Sequence, residues 1–267
     1  MDAARGIAET GVMSSDRTLR VVFRAAVLGL VLTLAAYGGL FAALAWPDPL
    51  FRHARAVGLV TFHATEPLPP EATVLAEQVT AAFAASPLGL PAHEVDIWLV
   101  DEGWPVRIFF AGSPRASGLT YPVASTRNVF LRHANIEANR LRRGALVVPP
   151  PRTLSYYLIH EITHLMVAER VGAWRIVRMP RWVNEGFADY VALGPAPPGM
   201  VELAASGARL PASVWGTYGQ ERVCVTLALE RLSGDLDALF ALDMDMQASG
   251  ACPMVPQFGI ASAGGGT

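Results

Sequence analysis

A chain of 267 residues that is 52% hydrophobic and 16% charged has room for one large domain or two small ones, and it is more apolar than soluble domains usually are. A net charge of -2 provides no broad basic field, which removes nucleic acid from the expected partners. All 21 cationic residues are Arg, a compositional bias from which no chemistry follows.

The excess apolar content is concentrated near the N-terminus. Residues 25–46 (AAVLGLVLTLAAYGGLFAALAW) run for 22 positions without a charge. As a helix this stretch measures about 33 Å, enough for a hydrocarbon core of about 30 Å. Arg17, Arg20 and Arg24 precede it, Trp46 marks the far interface, and Arg52 and Arg55 follow. The charge bias is modest and favours an N-terminus inside with the rest of the chain outside. The segment is expected to be an uncleaved anchor behind a cytoplasmic tail of residues 1–24, or a shorter tail if Met13 is the true start. The competing reading is a signal peptide cut at Ala43-Leu44-Ala45, against which the length of the run argues.

Beyond Pro47, Asp48 and Pro49, a single domain is expected over residues 48–258. Residues 58–64 (GLVTFHA) read as a strand, and 71–85 (EATVLAEQVTAAFAA) as a helix stopped by Pro87. Residues 95–100 (VDIWLV), 106–110 (VRIFF) and 128–132 (NVFLR) read as strands, and the Gly-, Ser- and Pro-rich stretch 112–125 as a loop. Arg140, Arg142 and Arg143 form a small basic run that fits a solvated turn. Pro149 to Pro151 then punctuate the chain. Thr153 or Ser155 can cap a helix running to about Val171, with Gly172 as its stop. Helices follow at about 181–193, 218–232 and 236–242, and the Gly- and Ala-rich tail 259–267 (GIASAGGGT) is expected to be disordered. Strands first and helices afterwards predict an α+β domain. Cys224 and Cys252 match no metal or redox spacing; they are either an extracytoplasmic disulfide or two separate thiols.

The chemistry is concentrated at residues 160–164, HEITH. Four residues of helix turn the azimuth by about 400°, so His160 and His164 project from one face, one turn apart. Two imidazole nitrogens on that face can share a zinc ion, while Glu161, on the rim, is placed to take a proton from the attacking water. A second carboxylate-bearing segment lies downstream, WVNEGFADY at 182–190. Glu185 follows His164 by 21 positions, enough for a turn and an antiparallel return, and can supply a third ligand while leaving a fourth position open. Asp189 shares the face of Glu185 and can accept the free N–H of a ligand histidine. Ordinary solvated carboxylates fit this segment poorly, because Trp182, Val183, Phe187 and Tyr190 make it mostly apolar. His53, His63, His93 and His133 are scattered and read as structural or exposed, and Tyr156 and Tyr157 as core.

HEITH followed by WVNEGFADY resembles the gluzincin branch of zinc peptidases, the peptidase-MA-like group that includes thermolysin-like enzymes and zinc aminopeptidases. NEGFA is similar to the third-ligand helix of the aminopeptidases. The resemblance spans residues 151–193. It implies a zincin-like domain with zinc on His160, His164 and Glu185, Glu161 as general base and Asp189 behind a histidine. Two departures limit it. The upstream GxMEN element of the aminopeptidases is missing, so exopeptidase activity does not carry over and an endopeptidase acting on peptide or protein substrates is expected. No histidine follows His164, so the oxyanion needs another donor, and Tyr218 and Arg222 are the candidates. The strand that holds an extended peptide is sought at 128–132 or 145–148. The alternatives to an enzyme are a zinc-bearing membrane protein that assists assembly, which gives Glu161 no purpose, and an anchored scaffold with a fortuitous motif, which gives Glu185 and Asp189 none.

Overall fold

The computed structural model describes residues 10–101, 103–143 and 146–243. The chain divides into two units, Met1–Trp46 and Pro47–Thr267. Helix α1, Thr10–Ala45, makes up the described part of the first. It contains one segment, Thr18–Ala45, long and apolar enough to cross a membrane. The helix thus begins 15 residues before the uncharged run read from the sequence, and Arg17, Arg20 and Arg24 lie on it.

The second unit opens with a mixed sheet. The strands are β1 (His53–Val57), β2 (Val60–Ala64), β3 (Val95–Val100), β4 (Gly118–Thr120) and β5 (Asn128–Arg132). Helix α2 (Glu71–Ala84) connects β2 to β3, and helix α3 (Trp104–Phe109) follows β3. The five strands lie in the order β1-β2-β3-β5-β4. β2, β3 and β5 are parallel, and the two outer strands run antiparallel to their neighbours. A parallel pair needs a crossover, which α2 provides. The strands-then-helices reading therefore holds only for the two halves of the domain. Within the first half strands and helices alternate, and the domain is mixed α/β.

Both faces of the sheet are covered, which explains why VDIWLV is apolar almost throughout. Val95, Ile97 and Leu99 of β3 join Val129 and Leu131 of β5 and Leu75, Val79 and Phe83 of α2 in one core. Trp98 lies on the opposite face, 5.0 Å from Phe51 between ring centroids, and Phe109 stacks on Phe130 at 4.5 Å. This second face corrects the expectation of a strand at 106–110. Gly103 turns the chain at φ 84°, and Pro105 occupies the first helical turn, where its missing N–H costs nothing. The segment closes into α3 and drops Phe109 onto the sheet.

Two further expectations change here. The loop predicted at 112–125 contains β4, an edge strand, while 128–132 is an interior strand bonded on both sides and has no free edge. The basic run forms a strand, β7 (Arg140–Arg143), and not a turn. It lies between β6 (Ala134–Asn135) and β8 (Leu146–Val147) in a small separate sheet, so of the segment sought at 145–148, Leu146 and Val147 belong to that ribbon.

The second half is helical: α4 (Leu154–Val171), α5 (Ala173–Arg178), α6 (Arg181–Leu193), α7 (Pro198–Ala205), α8 (Ala212–Trp215), α9 (Gly219–Arg231) and α10 (Leu236–Ala241). The N-terminal half of α4 packs on the sheet core, and its C-terminal half joins a second core with α6, α9 and α10 through Val167, Val183, Phe187, Val225 and Phe240. α6 and α9 approach so closely that a Cβ on Gly186 would overlap the carbonyl of Glu221. That contact accounts for the glycine in NEGFA. Cys224, fully buried on α9, is disulfide-bonded. Cys252 and the tail 259–267 lie outside the described residues.

Candidate metal centre

The motif helix α4 is fixed at both ends. Thr153 accepts the Tyr156 N–H through its side-chain oxygen at 3.2 Å, and Gly172 stops the helix at φ 93°. Between these caps His160, Glu161 and His164 are all buried. α6 lays Glu185 against them: its Oε2 lies 3.3 Å from His160 Nε2 and 3.9 Å from His164 Nε2. The other nitrogen of each ring has its own acceptor. His164 Nδ1 is 2.9 Å from Asn184 Oδ1, and His160 Nδ1 is 3.5 Å from Asp189 Oδ1. The Tyr156 hydroxyl donates to Asp189 and sits 3.4 Å from His160 Nδ1.

This arrangement favours one ligating tautomer for each ring. With Nδ1–H directed at Asn184 or Asp189, a neutral ring leaves Nε2 as the ligating atom, and in His160 that nitrogen is freed only when its proton is displaced. One ligand atom from each of His160, His164 and Glu185 falls within 4.8 Å of the other two. Metal–ligand bonds of about 2.0–2.1 Å at tetrahedral angles separate ligand atoms by about 3.4 Å. Two neutral imidazoles and one carboxylate at these spacings form a donor set that could hold a metal ion.

The electrostatics describe the metal-free cluster. Burial works to lower the pKa of His160, but hydrogen bonds to Asp189 and Glu185 and the nearby carboxylates outweigh it and hold the ring at about 10. Burial would raise Glu185, yet the His160 hydrogen bond and both histidines bring it down to about 2. His164 is lowered to about 4, chiefly by burial. His160 and Glu185 therefore form a charged pair that a cation must open, displacing the imidazolium proton. Glu161 is different. Burial raises it to about 7 against the charge of His160, a value suited to exchanging protons near neutral pH.

Glu161 is also held from outside the helix. A Cβ on Gly118 of β4 would come within 2.7 Å of Glu161 Oε1, so the sheet edge passes directly over the carboxylate. Tyr218, at the N-terminus of α9, stacks on His160 with centroids 5.4 Å apart and planes at 17°, and its hydroxyl engages Glu185. Burial and the two glutamates push that phenol far up, so it stays protonated and able to donate. Arg181 lies over the other face of the ring at 5.5 Å. The second donor candidate is placed elsewhere: Arg222 is buried against Met200, 3.3 Å from its sulfur.

The cluster thus brings together His160, Glu161, His164, Glu185, Asp189 and Tyr218. Sequence reasoning missed Tyr156, Asn184 and Gly118. Tyr156 stands four residues before His160 on the same helical face, and that spacing was the available signal. Asp189→Asn keeps the shape of the side chain and removes its charge from behind His160. It is expected to weaken metal affinity about 10- to 100-fold with the fold retained, as measured by chelator competition and circular dichroism. A scan against protein-family models finds no match for this chain, and a search of curated proteins finds none either.

Proposed function

We propose that this chain is a membrane-anchored, zinc-dependent endopeptidase with a zincin-like catalytic domain. One observation carries the reading. Both Nε2 atoms converge on Glu185 while both Nδ1 atoms face an acceptor, and Glu161 is left out of the ligand set beside the same cavity. A purely structural site has no use for that additional buried carboxylate.

His160, His164 and Glu185 would hold the ion. Bound there, zinc would polarise the scissile carbonyl and acidify the attacking water. Glu161, buried beside the ligand trio and outside it, would receive the proton of that water and return it to the leaving amine. Tyr218 remains a phenol and donates toward the oxygen on which charge develops. Asp189 and Asn184 hold the two imidazoles in the ligating tautomer.

The apolar segment Thr18–Ala45 is the anchor in this proposal, with the N-terminus inside and the domain on the extracytoplasmic side. The disulfide at Cys224 supports that side, because such bonds persist in oxidising compartments. The test is peptide cleavage by the full chain in detergent. Activity should vanish with a chelator and return with added zinc. Cleavage that persists after the metal has been stripped would overturn the reading.

A further inference from the structure

Two cavities meet at the candidate centre, and their walls differ. Both are lined by Gly118, His160, Glu161 and Tyr218. The smaller, about 360 Å³, continues along Leu119, Pro122, Ile176 and Val177 and is apolar on that side. The larger, about 430 Å³, runs the other way past Arg115, Arg152 and Tyr157.

Neither Arg115 nor Arg152 has an ion-pair or hydrogen-bond partner among the described residues, whereas Arg55, Arg127, Arg132, Arg170, Arg175 and Arg181 each have one. Arg115 is exposed on the loop before β4, and Arg152 is half-buried at the entrance to α4. The N-terminus of that 18-residue helix adds a partial positive charge on the same side. Among the described residues, Glu161 is the only acidic one lining this cavity. A third feature is independent of charge. The Tyr157 hydroxyl is buried without a hydrogen-bond partner, although its residue lines the cavity. Two free guanidinium groups and an unused hydroxyl donor match a carboxylate, which accepts on both oxygens.

We infer that the larger cavity is a carboxylate-binding subsite: the substrate carries a carboxylate on the Arg115–Arg152 side of the scissile bond and an apolar residue on the Ile176–Val177 side. This rests on the peptidase reading for its catalytic meaning. The carboxylate can come from an acidic side chain or from a free C-terminus, and the chemistry of recognition is the same.

The test uses full-length protein in detergent and labelled ten-residue peptides. The peptides come as pairs that differ by Glu against Gln at one position, or by a free against an amidated C-terminus. Binding is read by fluorescence anisotropy on the Glu161→Gln chain, and cleavage by mass spectrometry on the zinc-loaded parent. The carboxylate member of a pair should bind about 10-fold more tightly, and the preference should shrink at high salt. Arg152→Ala and the exposed Arg115→Ala should each move the ratio toward one, so the test survives if the half-buried variant does not fold. A preference tied to Glu identifies the side chain as the source, and one tied to the free terminus identifies a substrate end; either supports the subsite. Carboxylate-dependent binding without cleavage would keep the subsite and sink the peptidase reading. Cleavage with no carboxylate preference, or no peptide binding at all, would overturn the subsite.

Discussion

Glu161→Gln should leave about one zinc per chain and lower peptide cleavage about 10²- to 10⁴-fold, the range that a positioned acid–base group contributes. Glu161 lies outside the trio whose ligand atoms converge, so its loss removes no donor from the ion. Gln has nearly the same volume, so the close approach of Gly118 to this side chain is preserved. What disappears is the carboxylate that lines the cavity outside the ligand trio, and with it a group able to take up and return a proton. Metal analysis beside a cleavage assay decides the matter. Equal cleavage by parent and variant would end Glu161's assignment as the base. Lost zinc would make it a structural member of the site.

Glu185→Ala is expected to do the opposite and remove the metal. Changes behind the ligands cost about 10- to 100-fold in affinity, and loss of one of three ligands should exceed that. The purified parent should hold about one zinc and the variant almost none, as measured by elemental analysis. The variant should still fold, because the Glu185 side chain is partly exposed and is not among the residues of the second core. In the parent, affinity should fall as pH is lowered, by up to about tenfold per unit for each proton displaced, because His160 retains its proton to about pH 10 without metal. A folded parent that takes up no zinc would turn the cluster into a charged pair and bring the scaffold alternative forward.

Legibility followed the range of the interactions. Helices α4 and α6 could be read almost to the residue, because Thr153, Gly172, Pro180 and Gly194 are local start and stop signals. The placement of His160, His164 and Glu185 followed from helical spacing and one antiparallel return. The misread segment at 106–110 depended on something no local window contains: a second sheet face, formed by Trp98 and Phe130, waiting for Phe109. β4 was hidden for a similar reason. It has three residues in a Gly- and Ser-rich stretch, and its pairing partner, β5, lies downstream. Arg222 shares a helix with the Tyr218 junction, yet one turn of α9 carries it to the side of Met200.

Gly186 sits next to Glu185, about 100° round the helix, and its missing side chain lets that flank of α6 rest on the backbone of α9. The depth at which Glu185 reaches toward the two histidines is therefore calibrated by packing on an adjoining flank of its own helix. Coordination distances tolerate only about 0.2 Å, far less than a methyl group needs for room. The metal centre would then act as a gauge of the α6–α9 seam: disturbances at Val225 or Phe187 would register as weaker zinc binding well before the domain loses its fold.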